Sequence, residues 1–319
     1  MSANTEPPGY RTTAGEVLSR DDIDVQRKTF LITGGTSGLG EESVRVLAKH
    51  GAKIIFSARD LAAGEKVVAN IKAETPTAEI TYYKLDLSSL ASVKAFADEV
   101  KASAVLLNGL ILNAGIMAPP FGNTVDGFET QFGTNHVAHY LLTRLLIDNL
   151  VANAPARVVV VSSSGHRLDG VDFSDPNFTT RPYDKWKAYG QSKTANILFA
   201  YELNKLYASK GIEAFSIHPG GIPTPLQRHI PIEEAIQRGW TDANGNYGPE
   251  LKTLPQGTAT QVWALVAPEL KGKGGAYLED VSVSSPKTEQ AKDPNAAERL
   301  WSKWRGCSVN RFAELATVE

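Results

Sequence analysis

From about residue 28 to residue 267, apolar runs of strand length alternate with amphipathic stretches of helix length. The runs predict strands over 29–33, 53–57, 80–85, 105–112, 157–162 and 213–218, with a further short one over 276–279. The stretches between them predict helices over 41–50, 61–73, 90–101, 125–150, 187–209 and 256–267. Val, Ile and Leu on consecutive positions suit strands covered on both faces, and crossovers of helix length keep such strands parallel. The pattern predicts an α/β fold: a doubly wound, mainly parallel sheet with helices on both faces. Between 220 and 254 the periodicity dissolves into short polar pieces around Pro223, Pro225, Pro231, Gly239, Gly245 and Gly248. An irregular segment of that length inside a compact domain is usually functional. The expected organisation is a flexible polar arm over 1–27, one domain over 28–285 that includes the 220–254 segment, and a charged, Trp-containing tail over 286–319.

Composition narrows the function classes. With 42% apolar and 21% charged residues the 319-residue chain can build a sizeable core, which excludes a disordered protein. Thirty-three basic against 35 acidic side chains leave a net charge of -2, and no stretch concentrates one sign, so no nucleic-acid partner is expected. The single cysteine, Cys307, has no intrachain partner, and with the histidines scattered and no HExxH, no metal site is expected. The N-terminal residues lack the apolar run of a signal peptide. The most apolar stretch, 104–118, is interrupted by Asn108, Gly109 and Asn113, so no integral membrane segment is expected and the cytoplasm is the expected location.

Candidate chemistry begins directly after the first strand, where TGGTSGLG spans 33–40 and opens the first helix. Glycines there let backbone N–H groups approach a pyrophosphate at a helix N-terminus, so the turn reads as a dinucleotide site. It departs from G-x-G-x-x-G, because Gly38-Leu39-Gly40 is followed by Glu41, Glu42 and Ser43. About twenty residues on, where an NAD-binding chain places an acid for the ribose 2′-hydroxyl, stand Ala58 and then Arg59. A guanidinium fork suits a 2′-phosphate, which favours NADP(H) as cofactor.

Three pairs satisfy Y-x-x-x-K: Tyr183 with Lys187, Tyr189 with Lys193, and Tyr201 with Lys205. Tyr183 follows Pro182 and precedes the helix proper, while Tyr201 lies about 18 Å further along the axis than Tyr189. Tyr189 is the best placed. Its block AYGQSK at 188–193 joins the glycine turn, LNAG at 112–115, Asn135-His136, VSS at 161–163 and HPG at 218–220, in that order. Together these motifs resemble the short-chain dehydrogenase/reductase family over about residues 28–280. The stretches QFGTNHVAHYLLT and RVVVVSSSGH are most similar to its retinol-dehydrogenase-like and WW-domain-oxidoreductase-like branch, although no WW domain precedes them.

The resemblance implies a Rossmann-type sheet and a catalytic set of Asn135, Ser163, Tyr189 and Lys193, with Asn135 holding a water that links Lys193 to solvent. It also implies cofactor contacts from Gly34, Thr36, Ser37, Gly38, Leu39, Gly40, Arg59, Asp86, Leu87, Asn113, Ala114, Gly115, Tyr189, Lys193, Pro219, Gly220, Ile222 and Thr224. Ser162 and Ser164 flank Ser163, so the choice among the three rests on the alignment of motifs. A free tyrosine is only about 0.1% phenolate at neutral pH, and a nearby Lys193 ammonium together with an oxidised nicotinamide would favour the phenolate. In reduction Tyr189 would give a proton to the developing alkoxide as hydride arrives, with Ser163 hydrogen-bonding the oxygen.

The expected activity is an NADP(H)-dependent interconversion of a carbonyl and an alcohol on a small, mainly apolar molecule. Two other readings stay open: a catalytically weak NADP(H)-binding regulatory protein, and an epimerase or dehydratase with a retained nucleotide. A hydrolase is excluded, since no G-x-S-x-G surrounds Ser163. The 220–254 segment is expected to cover the substrate pocket with Ile222, Leu226, Ile230, Ile232, Ile236 and Trp240, facing Met117, Pro119, Phe121 and Trp186. A homo-oligomer is compatible with the sequence.

Overall fold

The computed structural model describes residues 9–304, so Cys307 and both chain ends lie outside the described residues. In chain order the elements are α1 (Ala14–Leu18), β1 (Thr29–Ile32), α2 (Gly38–Lys49), β2 (Lys53–Ala58), α3 (Leu61–Glu74), β3 (Ile80–Lys84), α4 (Leu90–Ala102) and β4 (Gly109–Leu112). There follow α5 (Thr130–Phe132), a π-helical turn (Gly133–Val137), α6 (Ala138–Ala152), β5 (Ala156–Val161), α7 (Lys185–Tyr207) and β6 (Ile212–His218). The chain continues through α8 (Ile232–Gln237), α9 (Leu254–Val266), β7 (Tyr277–Glu279), β8 (Ser282–Ser284), α10 (Glu289–Lys292) and α11 (Pro294–Trp304).

The strands form one sheet in the order β3-β2-β1-β4-β5-β6-β7-β8, parallel throughout except for the final antiparallel pair. Side chains alternate between its faces as the pleat requires. Leu31, Leu110, Leu112, Val158 and Val160 pack into one core layer with residues of α4, α6, α7 and α11. Phe30, Ile32, Ile111, Val159 and Val161 pack into the other with α1, α2, α3 and α9. Both faces are therefore dry, which is why these strands read as unbroken apolar runs. Chain order reverses between β1 and β4, and the crevice beyond their carboxyl ends is where such folds bind ligands.

Several boundaries differ from the expected ones for physical reasons. The arm expected to be loose contains α1, whose Ala14, Val17 and Leu18 are buried against α9; Thr13 and Glu16 form its capping box. The strand expected from residue 105 starts at Gly109. The Asn149 side chain takes up the backbone of Val105 and Leu107 at 2.7 and 2.8 Å in place of a neighbouring strand. The helix expected from residue 125 starts at Thr130, where Glu129 caps it by accepting from the N–H groups of Gln131 and Phe132. The expected tail carries α11, whose Ala296, Ala297, Leu300, Trp301 and Trp304 are buried on α7. No helix among the described residues is long and apolar enough to cross a membrane.

Candidate active site

One cavity of about 540 Å³ opens at the crevice beyond β1 and β4. Its floor is the glycine turn. Gly34 and Gly38 have φ of 71° and 57°, a left-handed conformation that side chains resist. A Cβ on Gly40 would stand 2.1 Å from the Gly34 carbonyl oxygen, so the turn closes only because that atom is missing. Ser37, at the N-cap of α2, makes no side-chain cap bond, which leaves the first N–H groups of this twelve-residue helix without a capping side chain. An uncapped helix N-terminus under a tight glycine turn fits the pyrophosphate of a dinucleotide. The turn is pinned from behind: Ser57 Oγ accepts from Gly34 N at 2.9 Å, and Thr33 Oγ1 accepts from Asn113 N and Ala114 N at 2.9 and 3.1 Å. His139 Nε2 meets the same Thr33 hydroxyl at 2.9 Å, and burial pushes this histidine down to about 4, so it serves as a neutral structural group.

Of the residues proposed for the cofactor, Gly34, Thr36, Ser37, Gly38, Leu39, Arg59, Asp86, Leu87, Asn113, Ala114, Gly115, Pro219, Gly220, Ile222 and Thr224 line this cavity, together with Tyr189 and Lys193. Gly40 does not line it and acts only through the close approach just described. Asp86 accepts from Ser88 N and Ser88 Oγ at 2.9 and 2.7 Å, while Ser89, not Asp86, caps α4.

The three serines after β5 separate by geometry. Ser162 Oγ turns inward and donates to the Lys193 carbonyl at 2.8 Å. Ser164 lies on the other side, its N–H donating to His218 Nδ1 at 3.2 Å. Ser163 Oγ accepts from Gly165 N at 3.0 Å and lies beside the Tyr189 phenol, whose proton affinity it lowers. Lys193 Nζ donates to the Val161 carbonyl at 3.1 Å and stands 5.6 Å from the centre of the Tyr189 ring. Tyr183, by contrast, donates to the Pro119 carbonyl at 3.1 Å, and Tyr201 is 39% exposed; neither lines the cavity. Asn135 lies in the π-helical turn, fully buried and outside the lining. Its Oδ1 accepts from Ile116 N at 2.8 Å, and its Nδ2 donates to the Ile116 carbonyl and to Ser192 Oγ, both at 3.0 Å.

The family model for short chain dehydrogenases matches residues 28–235. The chain belongs to the short-chain dehydrogenase/reductase family. It is 44% identical over 305 residues to oxidoreductase calI of Penicillium decumbens, covering 91% of this chain and 87% of that one. It is 36% identical to retinol dehydrogenase 12 of Mus musculus, covering 93% and 91%. Among solved structures, a putative uncharacterized protein from Mycobacterium paratuberculosis superposes with a TM-score of 0.71 at 31% identity, covering 97% of this chain and 98% of the other. An oxidoreductase of this family, retinol-dehydrogenase-like in sequence, acts on small molecules with a nicotinamide cofactor, and the cradle above fits that group.

Burial pushes the Tyr189 phenol up to about 12; the Ser163 hydroxyl opposes this and loses. Burial also brings Lys193 down to about 8, which leaves it mostly protonated at neutral pH. With the protein's own groups alone, burial holds Tyr189 as an acid.

On the substrate side, Met117, Ala118 and Tyr189 form a small apolar cluster with Trp186, Leu226, Ile230 and Trp240 packed on it. The 220–254 segment thus brings Leu226 and Trp240 to the pocket, with Ile230 packed on the cluster behind them, while Ile222 packs at its base beside Gly257. Ile232 and Ile236, 49% and 37% exposed, stay outside it. Phe121 is likewise exposed and packs on Tyr183, 5.1 Å between ring centres, so it supplies no facing wall. The outer end of the segment is tied to α7 by Glu234, which bonds Lys185 Nζ at 2.5 Å and Trp186 Nε1 at 2.7 Å. Sequence reasoning missed Thr33, Ser57 and Gly165 as supports of the site. A hydroxyl residue at the carboxyl end of each of the first two strands was the available signal for Thr33 and Ser57.

Proposed function

We propose that the protein is an NADP(H)-dependent oxidoreductase that interconverts a carbonyl and an alcohol on a bulky, mainly apolar molecule. The observation that carries this reading is the meeting of Ser163, Tyr189 and Lys193 on one wall of the cavity whose floor is the glycine turn. Held by the glycine turn, a nicotinamide cofactor would supply the hydride chemistry at the reacting carbon, in either direction. Ser163 holds the reacting oxygen, and Tyr189 gives it a proton in reduction or takes one in oxidation. Lys193, beneath the phenol ring, stabilises the phenolate that remains after proton donation. Asn135 is a positioning residue: it holds Ser192 and Ile116, and Ser192 Oγ in turn donates to the Tyr189 carbonyl at 2.8 Å. Gly34, Thr36 to Leu39, Asp86, Leu87, Asn113 to Gly115, Pro219, Gly220, Ile222 and Thr224 contact the cofactor in this reading.

The choice of NADP(H) rests on Arg59 at the cavity rim and on Ala58 where an acid would read the 2′-hydroxyl. Arg59→Ala is expected to lower the ratio of NADPH to NADH efficiency about tenfold or more, and an unchanged ratio reopens the cofactor choice. The apolar substrate class is supported by Met117, Leu226, Ile230 and Trp240, and by a relative named as a retinol dehydrogenase. Alanine at Leu226 and Trp240 is expected to change relative efficiencies among large apolar aldehydes while NADPH affinity holds. Flat selectivity with a collapsed melting temperature would make the segment structural instead.

A further inference from the structure

The segment over the substrate pocket begins directly above the phosphate turn. A Cβ on Gly38 would lie 3.6 Å from Thr224 Cβ and 4.0 Å from Pro225 Cδ. From there a short 3-10 turn, Pro225–His229, carries Arg228 to the rim of the same cavity that Arg59 reaches from the end of β2. The turn is held firmly. Gln227 Oε1 accepts from Thr224 N at 2.7 Å, its Nε2 donates to the Ile222 carbonyl at 2.9 Å, and Arg228 Nη1 donates to the Pro225 carbonyl at 3.0 Å.

Charge is unbalanced at this rim. Asp60, next to Arg59, is engaged as the cap of α3, accepting from Ala62 N at 3.0 Å. Among the described residues neither Arg59 nor Arg228 forms an ion pair, although sixteen ion pairs form elsewhere. Burial, and then the positive charge of Arg59, hold the Arg228 guanidinium below its ordinary range. Two like charges facing one cavity, neither of them paired with a carboxylate, call for a dianion, and a phosphate monoester carries about -1.5 to -2 at neutral pH. Its three oxygens accept from two guanidinium forks at once, whereas a ribose hydroxyl offers neither charge nor enough acceptors.

We infer that Arg228 completes, with Arg59, a two-guanidinium site for the 2′-phosphate of NADP(H), so that the segment forming the substrate wall also reads the cofactor. This rests on the NADP(H) reading above and deepens it. Leu226 and Arg228 belong to one turn, so a phosphate that holds Arg228 also holds Leu226 against Met117 and Trp240.

The test is calorimetric binding of adenosine 2′,5′-bisphosphate and of AMP to the wild type, Arg228→Ala, Arg228→Lys and Arg59→Ala, with hydrogen exchange followed over residues 224–230. Arg228→Ala is expected to weaken the bisphosphate about tenfold, equivalent to about 1.4 kcal/mol, with AMP affinity held and part of the loss recovered in Arg228→Lys. Exchange over 224–230 is expected to slow with the bisphosphate and not with AMP. If Arg59→Ala weakens the bisphosphate and Arg228→Ala does not, the role of Arg228 is overturned while the NADP(H) reading stands. Equal loss of AMP affinity in Arg228→Ala would make the residue structural and overturn the inference as well. A wild type that binds AMP as tightly as the bisphosphate overturns both.

Discussion

Gly165→Ala changes one atom beside the candidate proton donor. The added Cβ would lie 2.7 Å from Tyr189 Cε1, 2.8 Å from Cδ1 and 3.4 Å from Ser163 Oγ. Carbon atoms pack at about 3.5–4.0 Å, so the ring or the turn that carries Ser163 must give by about 1 Å. Gly165 φ lies outside the left-handed region, so the perturbation is this contact and not backbone strain. The ring is buried at 4% exposure, its helix neighbours Ala188, Gln191, Ser192 and Lys193 are buried too, and it has little room to yield. Overpacking of this kind costs about 1–3 kcal/mol of stability. A displacement of about 1 Å at the reacting groups costs about 100-fold in turnover, or about 2.7 kcal/mol of barrier. Steady-state NADPH oxidation with a bulky apolar aldehyde reads kcat, and a fluorescence titration reads cofactor affinity, which is expected to hold because the glycine turn is untouched. A folded Gly165→Ala protein with kcat within about threefold of the wild type would refute the idea that this contact fixes Tyr189.

Trp301→Ala is expected to cost about 3–5 kcal/mol in denaturant unfolding, because the ring packs edge-on to Tyr140 and stacks on Phe199 at 5.0 and 5.9 Å between centres. A loss below about 1 kcal/mol would contradict the role given to α11 in the core. Lys193→Met is expected to abolish turnover yet melt no lower than the wild type at pH 7. Burying a lysine whose proton affinity falls from 10.5 to about 8 opposes folding by about 3 kcal/mol while both states are protonated. The Val161 carbonyl also accepts from Asn196 Nδ2 at 3.1 Å, so losing the lysine does not leave it without a donor. Between pH 8 and 10.5 the native state sheds this proton before the unfolded chain does, so wild-type stability is expected to rise relative to Lys193→Met over that window. A constant difference across the window would argue against the depressed lysine.

Much of this architecture was legible because burial on both faces leaves its mark at consecutive positions, as in the run Val158 to Val161 that alternates between the two core layers. The site was legible through backbone demands: a tight turn at an uncapped helix start needs glycines, and they stand at 34, 38 and 40. Those same glycines hid the first turn of α2, since glycine is a poor helix former and the apolar period starts only with Val44. Two missed helices did carry signals. Thr13 and Glu16 have the spacing of a capping box, and Ala297, Leu300, Trp301 and Trp304 recur at helical intervals amid charged neighbours that made the segment read as a solvated tail. The π-helical turn that places Asn135 had no such mark, because a shift from i+4 to i+5 bonding changes no residue type. The burial of Tyr189 was not legible either. It arises from side chains brought together by the fold, Met117 and Ala118 among them, and it pushes the phenol up.

The most direct measurement is NADPH oxidation by purified Tyr189→Phe beside the wild type, on a panel of bulky apolar aldehydes and ketones, with NADPH affinity titrated for both. Only the phenol oxygen is lost, so the glycine turn and the stem of Lys193 keep their places and cofactor affinity is expected to hold. Wild-type turnover on at least one apolar carbonyl, falling in the variant to less than about a tenth, is the expected result and corresponds to a barrier raised by more than about 1.4 kcal/mol. Retention of more than about a tenth of the wild-type rate at unchanged NADPH affinity would contradict the assignment of Tyr189 as proton donor, and with it the central claim.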